Sequence, residues 1–123
     1  MKVLIIDDED DIRQIARLSL SRVGGMEVIE ASNGTDGVRE AESGQPDVIL
    51  LDMMMPGMDG PATLAALRAN GPTGEIPVVF LTAKAQAAEI GRLRSLGAKG
   101  VLTKPFDPMT LPDLLRATLA GGS

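Results

Sequence analysis

The sequence contains no cysteine, no histidine, no tryptophan and no tyrosine, and two phenylalanines are its whole aromatic content. Without cysteine there is neither a disulfide framework nor a thiolate metal site, which is compatible with a reducing compartment. Without histidine the commonest general base and metal ligand is missing. Any metal must then be held by oxygen, which favours a hard cation such as Mg²⁺. Long hydrophobic runs are also absent: Val48 to Leu51 is far too short to span a bilayer. Met1-Lys2-Val3 leads directly into a strand-like run with no signal-peptide pattern, so a cytoplasmic chain without a membrane role is expected. Positive charge is scarce, with 12 Lys and Arg against 17 Asp and Glu, a net charge of −5. That balance argues against a grip on nucleic acid, which needs clustered Lys and Arg. A protein or small-molecule partner is expected instead.

At 123 residues, 44% of them apolar and 24% charged, the chain has the size and composition of one ordinary domain with one core. Lys2 to Ile6 is a continuous, largely β-branched run, followed by the acidic stretch Asp7 to Asp11 and then by Ile12, Ile15, Ala16, Leu20 and Val23 at helical spacing. Gly24-Gly25 stops that helix. Met26 to Ala31 reads as a strand, and Ser32-Asn33-Gly34 turns into a helix ending near Gly44. Val48 to Leu51 is an unalternating apolar run, the pattern of a strand covered on both faces, and it ends at Asp52. Met53 to Gly60 has the turn formers of a loop, and Pro61 suits the first turn of a helix to about Asn70. Pro77 to Leu81 is a further buried strand ending in Thr82, Ala85 to Leu96 a helix, Gly100 to Thr103 the last strand, and a final helix begins near Pro108 or Met109. Five strands alternating with five helices predict right-handed crossovers and a doubly wound α/β domain with a parallel sheet. The domain is expected over 1–120, with 121–123 as a tail.

In an open parallel sheet, ligands bind beyond the carboxyl ends of the strands. The predicted strands end at Asp7-Asp8, Asp52, Thr82 and Lys104, so three carboxylates, a hydroxyl and an ammonium should meet at one edge. Two carboxylates about 4 Å apart repel by roughly 1 to 4 kcal/mol, depending on the effective dielectric, and a cation or protons must relieve that. Mg²⁺ typically takes one or two protein carboxylates and keeps several waters, which leaves room for a phosphoryl oxygen. Asp10 and Asp11 fit a plainer role as acidic residues in the first turn of a helix.

The combination Ile6-Asp7-Asp8, Leu51-Asp52-Met53-Met54-Met55-Pro56-Gly57-Met58-Asp59-Gly60, Leu81-Thr82-Ala83 and Lys104-Pro105-Phe106 resembles the receiver domains of two-component response regulators, over roughly residues 2 to 120. The resemblance implies a flavodoxin-like (βα)5 fold with strand order 2-1-3-4-5. It also implies that Asp52 is the phosphoacceptor, taking a phosphoryl group from a sensor histidine kinase, a histidine phosphotransfer protein or a small phosphodonor. Asp8, Asp52 and the main-chain carbonyl of Met54 would ligate Mg²⁺, for which Mn²⁺ could substitute, with Asp7 acting through a coordinated water. Thr82, Ala83 and Lys104 would bind the phosphoryl group and switch, and a cis peptide between Lys104 and Pro105 would aim the lysine into the pocket. Such a domain is a signalling switch, not an enzyme acting on an external substrate. Its output leaves through the face formed by the fourth helix, the last strand and the last helix.

Two features depart from the family pattern. Where an aromatic residue commonly stands, three before the lysine, this chain has Val101. Thr82 is still expected to move, with readout shifted to the backbone and to the Ala83 to Gly91 surface. Met53 and Met54 after Asp52, and Lys84 after Thr82, offer no carboxamide or carboxylate to orient a hydrolytic water, so a comparatively long-lived acyl phosphate is expected. A Mg²⁺-dependent phosphatase would need an acid/base residue near the nucleophile, and Asp52-Met53-Met54 has none. A flavin carrier would need a Ser/Thr-rich phosphate loop and stacking aromatics. A copper or haem site at Met53 to Met58 would need His or Cys partners, so loop and core packing account better for those methionines. A catalytically dead scaffold receiver is disfavoured by the complete acidic set.

Overall fold

The structure, a computed structural model, describes residues 1–83 and 86–121. Five parallel strands, β1 (Lys2–Ile6), β2 (Glu27–Ala31), β3 (Val48–Asp52), β4 (Val78–Thr82) and β5 (Gly100–Thr103), form one sheet in the order β2-β1-β3-β4-β5. Between and after them lie α1 (Asp10–Leu18), α2 (Gly34–Gly44), α3 (Gly60–Ala69), α4 (Ala87–Ser95) and α5 (Leu111–Leu119). This is the expected doubly wound (βα)5 arrangement.

Side chains alternate across a strand, so each strand serves two cores. Leu4, Ile6, Ile49, Leu51, Val78 and Phe80 pack on one face against Ala41 of α2, Leu64 and Leu67 of α3 and Leu93 of α4. Val3, Ile5, Val48, Leu50, Val79 and Leu81 pack on the other against Ala16 of α1, Leu20, and Leu111 and Leu115 of α5. Every residue of β3 and β4 is buried, which is why these strands read as unbroken apolar runs. No helix among the described residues is long and apolar enough to cross a membrane.

The boundaries that differ from expectation have local causes. The first helix stops at Gly24-Gly25 as expected, with Gly25 at φ +68°, and differs only in that Ser19–Val23 winds as a wider π-type turn. The left-handed residue after α2 is Gln45 (φ 44°), not Gly44. Its side-chain amide donates to the carbonyls of Ala41, Glu42 and Pro72, which offsets the strained backbone. α5 starts at Leu111 because Asp107 holds the preceding segment in a turn. Its carboxylate accepts from Met109 N at 2.9 Å and its carbonyl from Thr110 N and Leu111 N at 3.0 Å. A short 3₁₀ turn, Gly71–Thr73, follows α3 before β4.

The loop after β3 is tied back to the sheet at the start of α3. Asp59 caps α3 by accepting from Ala62 N at 2.9 Å, Pro61 lies in the first turn, and Gly60 N donates to Met53 O at 3.0 Å. A Cβ on Gly60 would lie 2.7 Å from the Asp52 carbonyl oxygen and from Phe80 Cε1, and 2.9 Å from Met53 Cα. Gly60→Ala should therefore destabilise the fold by about 1–3 kcal/mol, the usual cost of overpacking, seen as a lower denaturant midpoint. A midpoint equal to wild type would show that the loop yields freely.

Candidate phosphoryl and metal site

Sheet register brings the candidate residues together. Ile6 lies level with Leu51, Asp52 with Leu81 and Thr82 with Thr103, so the residues that follow or close β1, β3, β4 and β5 share one edge. Asp7 N donates to Ala31 O at 3.1 Å and Lys104 N to Thr82 O at 2.7 Å, extending the pairing one step past the strands. The acidic group is thus fixed by the sheet itself.

Asp7 and Asp52 are buried, at 1% and 4% exposure, whereas Asp8 is exposed at the rim. One carboxylate oxygen from each of the three lies within 4.8 Å of the others, an oxygen set able to hold a metal ion. The Lys104 ammonium donates to Asp7 Oδ2 and to Asp52 Oδ1, each at 3.0 Å, and lies 3.9 Å from Glu9 Oε1. Asp7 Oδ1 accepts from Glu9 N at 2.9 Å, and Arg13 holds the Asp7 carbonyl at 2.7 Å. Asp52 Oδ2 is buried and has no hydrogen-bond partner among the described residues. A buried acceptor left unsatisfied is costly, and a cation or proton there would relieve it.

The electrostatics agree. Burial is the main cause that raises the Asp52 carboxyl to about 6; Asp7 and Asp8 add to the rise, and the Lys104 hydrogen bond opposes it. For Lys104 burial acts downward, but the hydrogen bonds to Asp52 and Asp7 outweigh it, so the ammonium is held above its ordinary value.

A cavity of about 510 Å³ opens over Asp52 and is lined by Thr82, Ala83, Lys104, Met53 and Met54. Glu9, Gln86 and Glu89 line it as well. No motif marks these three as site residues; their signal in the sequence is closeness to Asp8 and to the Thr82-Ala83 strand end. Lys84 and Ala85 lie outside the described residues. Val101 is half-buried and packs against the core on the α2-α3-α4 face. The Lys104–Pro105 peptide is cis. Met55 is buried and Met53 packs against the same core, but Met54 is 77% exposed, so packing does not account for that residue.

A parallel doubly wound sheet with an acidic, lysine-bridged cluster at its carboxyl edge is the architecture of a signalling switch domain. The chain belongs to the response regulator receiver domain family, matching it over residues 3–116. It is 37% identical over 120 residues to protein PilH of Pseudomonas aeruginosa, covering 98% of both chains. It is also 37% identical to the probable transcriptional regulator ycf27 of Guillardia theta and 36% identical to the alkaline phosphatase synthesis transcriptional regulatory protein PhoP of Bacillus subtilis. In both cases 96% of the chain is aligned, spanning 45% and 48% of those longer proteins. Among solved structures, chemotaxis protein CheY4 of Vibrio cholerae superimposes with a TM-score of 0.88 at 33% identity, over 95% of this chain and 97% of that one. A response regulator from Chloroflexus aurantiacus gives 0.85 at 30% identity, over 97% of each chain. Receiver domains are signalling switches that work with histidine kinases and output domains.

Proposed function

We propose that the chain, as one receiver domain over 1–120, accepts a phosphoryl group on Asp52 in a Mg²⁺-dependent reaction and switches conformation to control a partner. The observation that carries this reading is the buried Oδ2 of Asp52, without a hydrogen-bond partner among the described residues, beside Asp7, Asp8 and Lys104. Attack by an Asp52 carboxylate oxygen on phosphorus forms the new P–O bond as the bond to the donor's histidine nitrogen breaks and that nitrogen takes the electron pair. Asp8, Asp52 and the Met54 carbonyl would hold the cation directly and Asp7 through a water. When bound it would offset charge on the transferred group, with Mn²⁺ able to substitute. Lys104 and Thr82, with Ala83 beside them, would take the phosphoryl oxygens, since the modification adds about −1.5 to −2 charges and strong acceptors. The donor would be a sensor histidine kinase or a phosphotransfer protein. Output would leave through α4-β5-α5, in a cytoplasmic setting, without nucleic acid or membrane contact by this domain.

Mass spectrometry after incubation with acetyl phosphate tests the reading. One phosphoryl mass should appear with Mg²⁺ and be lost with a chelator; labelling that ignores the chelator would overturn the metal requirement. The absence of a water-orienting group at Met53 and Met54 supports an acyl phosphate that persists for minutes or longer on phosphate-affinity gels. Complete loss within seconds would show that another group, such as Gln86 or Glu89 at the cavity wall, orients the water.

A further inference from the structure

Eleven Lys and Arg residues are described, and seven of their side chains lie in ion pairs with carboxylates. The four without an acidic partner among the described residues are Arg22, Arg68, Arg94 and Lys99. Three of these four, Arg68, Arg94 and Lys99, line one open cavity of about 520 Å³. In a chain of net charge −5, three cations without an ion-pair partner among the described residues thus meet at one cavity. The cavity lies at the amino-terminal edge of the sheet, beside Asp47 and Pro77 at the entries of β3 and β4. It is roughly 16 Å from Asp52, as the length of β3 requires.

The three cations are not equivalent. Arg68 is half-buried and spends its guanidinium on carbonyls: Nη1 donates to Ile76 O at 2.8 Å and Gly74 O at 3.3 Å, and Nη2 to Gly97 O at 3.0 Å. Gly97, at φ +109°, lets the backbone come this close, since a Cβ there would lie 3.2 Å from Arg68 Nε. These carbonyls orient the charge without neutralising it, and burial lowers the guanidinium from its ordinary value. Arg94 and Lys99 are exposed, and their side chains make no hydrogen bond or ion pair among the described residues, so their donors face the cavity uncommitted. Pro77, Ala98 and Leu119 supply apolar wall. Glu75 and Asp47 supply acceptors, of which one Asp47 oxygen already receives Lys2 N.

We propose that this cavity binds a nucleoside phosphate, with Arg94 and Lys99 holding the phosphate. The ring lies on the apolar wall, and Glu75 accepts from sugar or base donors. The mixed lining is the argument for this class. Bare phosphate would use the cations but would leave the apolar wall uncovered and bring its charge against Glu75 and Asp47, whereas a nucleoside phosphate answers all three parts. The volume lies in the usual range for small-molecule sites. Arg68 acts as a positioning residue, its fixed charge raising the local potential.

The test is a titration of the ¹⁵N-labelled chain with ATP and, separately, with inorganic phosphate, in EDTA and in the Asp52→Asn background, so that the outcome is independent of phosphorylation. Saturable shifts confined to the Gly97–Lys99 and Arg94 amides are expected, with affinity at least ten-fold weaker in Arg94→Ala and in Lys99→Ala. Both side chains are exposed and make no interaction the fold needs. Arg22→Ala, which removes the fourth unpaired cation, should change nothing. Equal affinity for inorganic phosphate, shifts spread over all basic residues, or binding unaffected by Arg94→Ala and Lys99→Ala would each overturn the proposal, as would no binding at millimolar ATP.

Discussion

Asp52→Asn should abolish the phosphoryl mass gained from acetyl phosphate and, in the same protein, raise metal-free stability above pH 6. The first effect is all or none, because an amide lacks the nucleophilic carboxylate oxygen. The second follows from the raised Asp52 carboxyl, which titrates near 6 in the fold against an ordinary 3.8. Between those values the folded chain holds a proton that the unfolded chain has released, so the unfolded state binds fewer protons and stability falls as pH rises. The loss begins near pH 4 and is complete once pH passes 6. Discounted for water reaching the open cavity, it amounts to about 1–2 kcal/mol. Asparagine carries no charge to desolvate, so its unfolding midpoint in EDTA should stay flat over that range and exceed wild type at pH 7.5. Mg²⁺ should raise the wild-type midpoint at pH 7.5, because it binds only the folded cluster, and should do much less for the variant. A variant that still gains the phosphoryl mass removes Asp52 as acceptor; a wild-type profile flat from pH 4 to 7 removes the electrostatic account.

Lys104→Met tests the other half of the charge balance. Among the described residues the ammonium is the only cation bonded to both buried carboxylates, Asp7 and Asp52. Taking one partner from a buried ion pair leaves uncompensated charge and typically costs about 3–5 kcal/mol. The cost should be largest at pH 8 in EDTA. It should shrink toward pH 5, where Asp52 can protonate, and shrink again when Mg²⁺ replaces the lost charge. Mg²⁺ should also bind the variant several-fold more tightly, since no ammonium competes for the oxygens. Equal destabilisation at pH 5 and pH 8 would mean that packing of the lysine stem, not its charge, is what the fold needs.

The strands were legible because their apolar runs end at polar residues, and β3 and β4 are buried throughout, as unalternating sequence implies. Helix ends were less legible where side chains compete with the backbone. Asp107 delays α5 through a turn that its carboxylate stabilises, and Gln45 takes the left-handed position that a glycine beside it seemed made for. Within the site, the sequence placed Asp7 and Asp8 together but could not rank them by burial. The ranking depends on β1 pairing one step beyond Ile6, through Asp7 N to Ala31 O, which turns Asp7 inward and leaves Asp8 at the rim.

The sequence by itself determined which residues stand at the carboxyl ends of the strands, because strand length and apolar patterning are local properties of contiguous residues. It determined also that a hard metal ion must be oxygen-bound, because no His or Cys is encoded and methionine thioethers suit only soft metals. Only the tertiary structure decided that Asp52 Oδ2 is buried without a partner among the described residues and that Lys104 bridges Asp7 to Asp52. It alone gathered Arg68, Arg94 and Lys99 around one cavity at the opposite edge. Those relations join residues tens of positions apart, and they exist only once the crossovers lay β1, β3, β4 and β5 side by side in register.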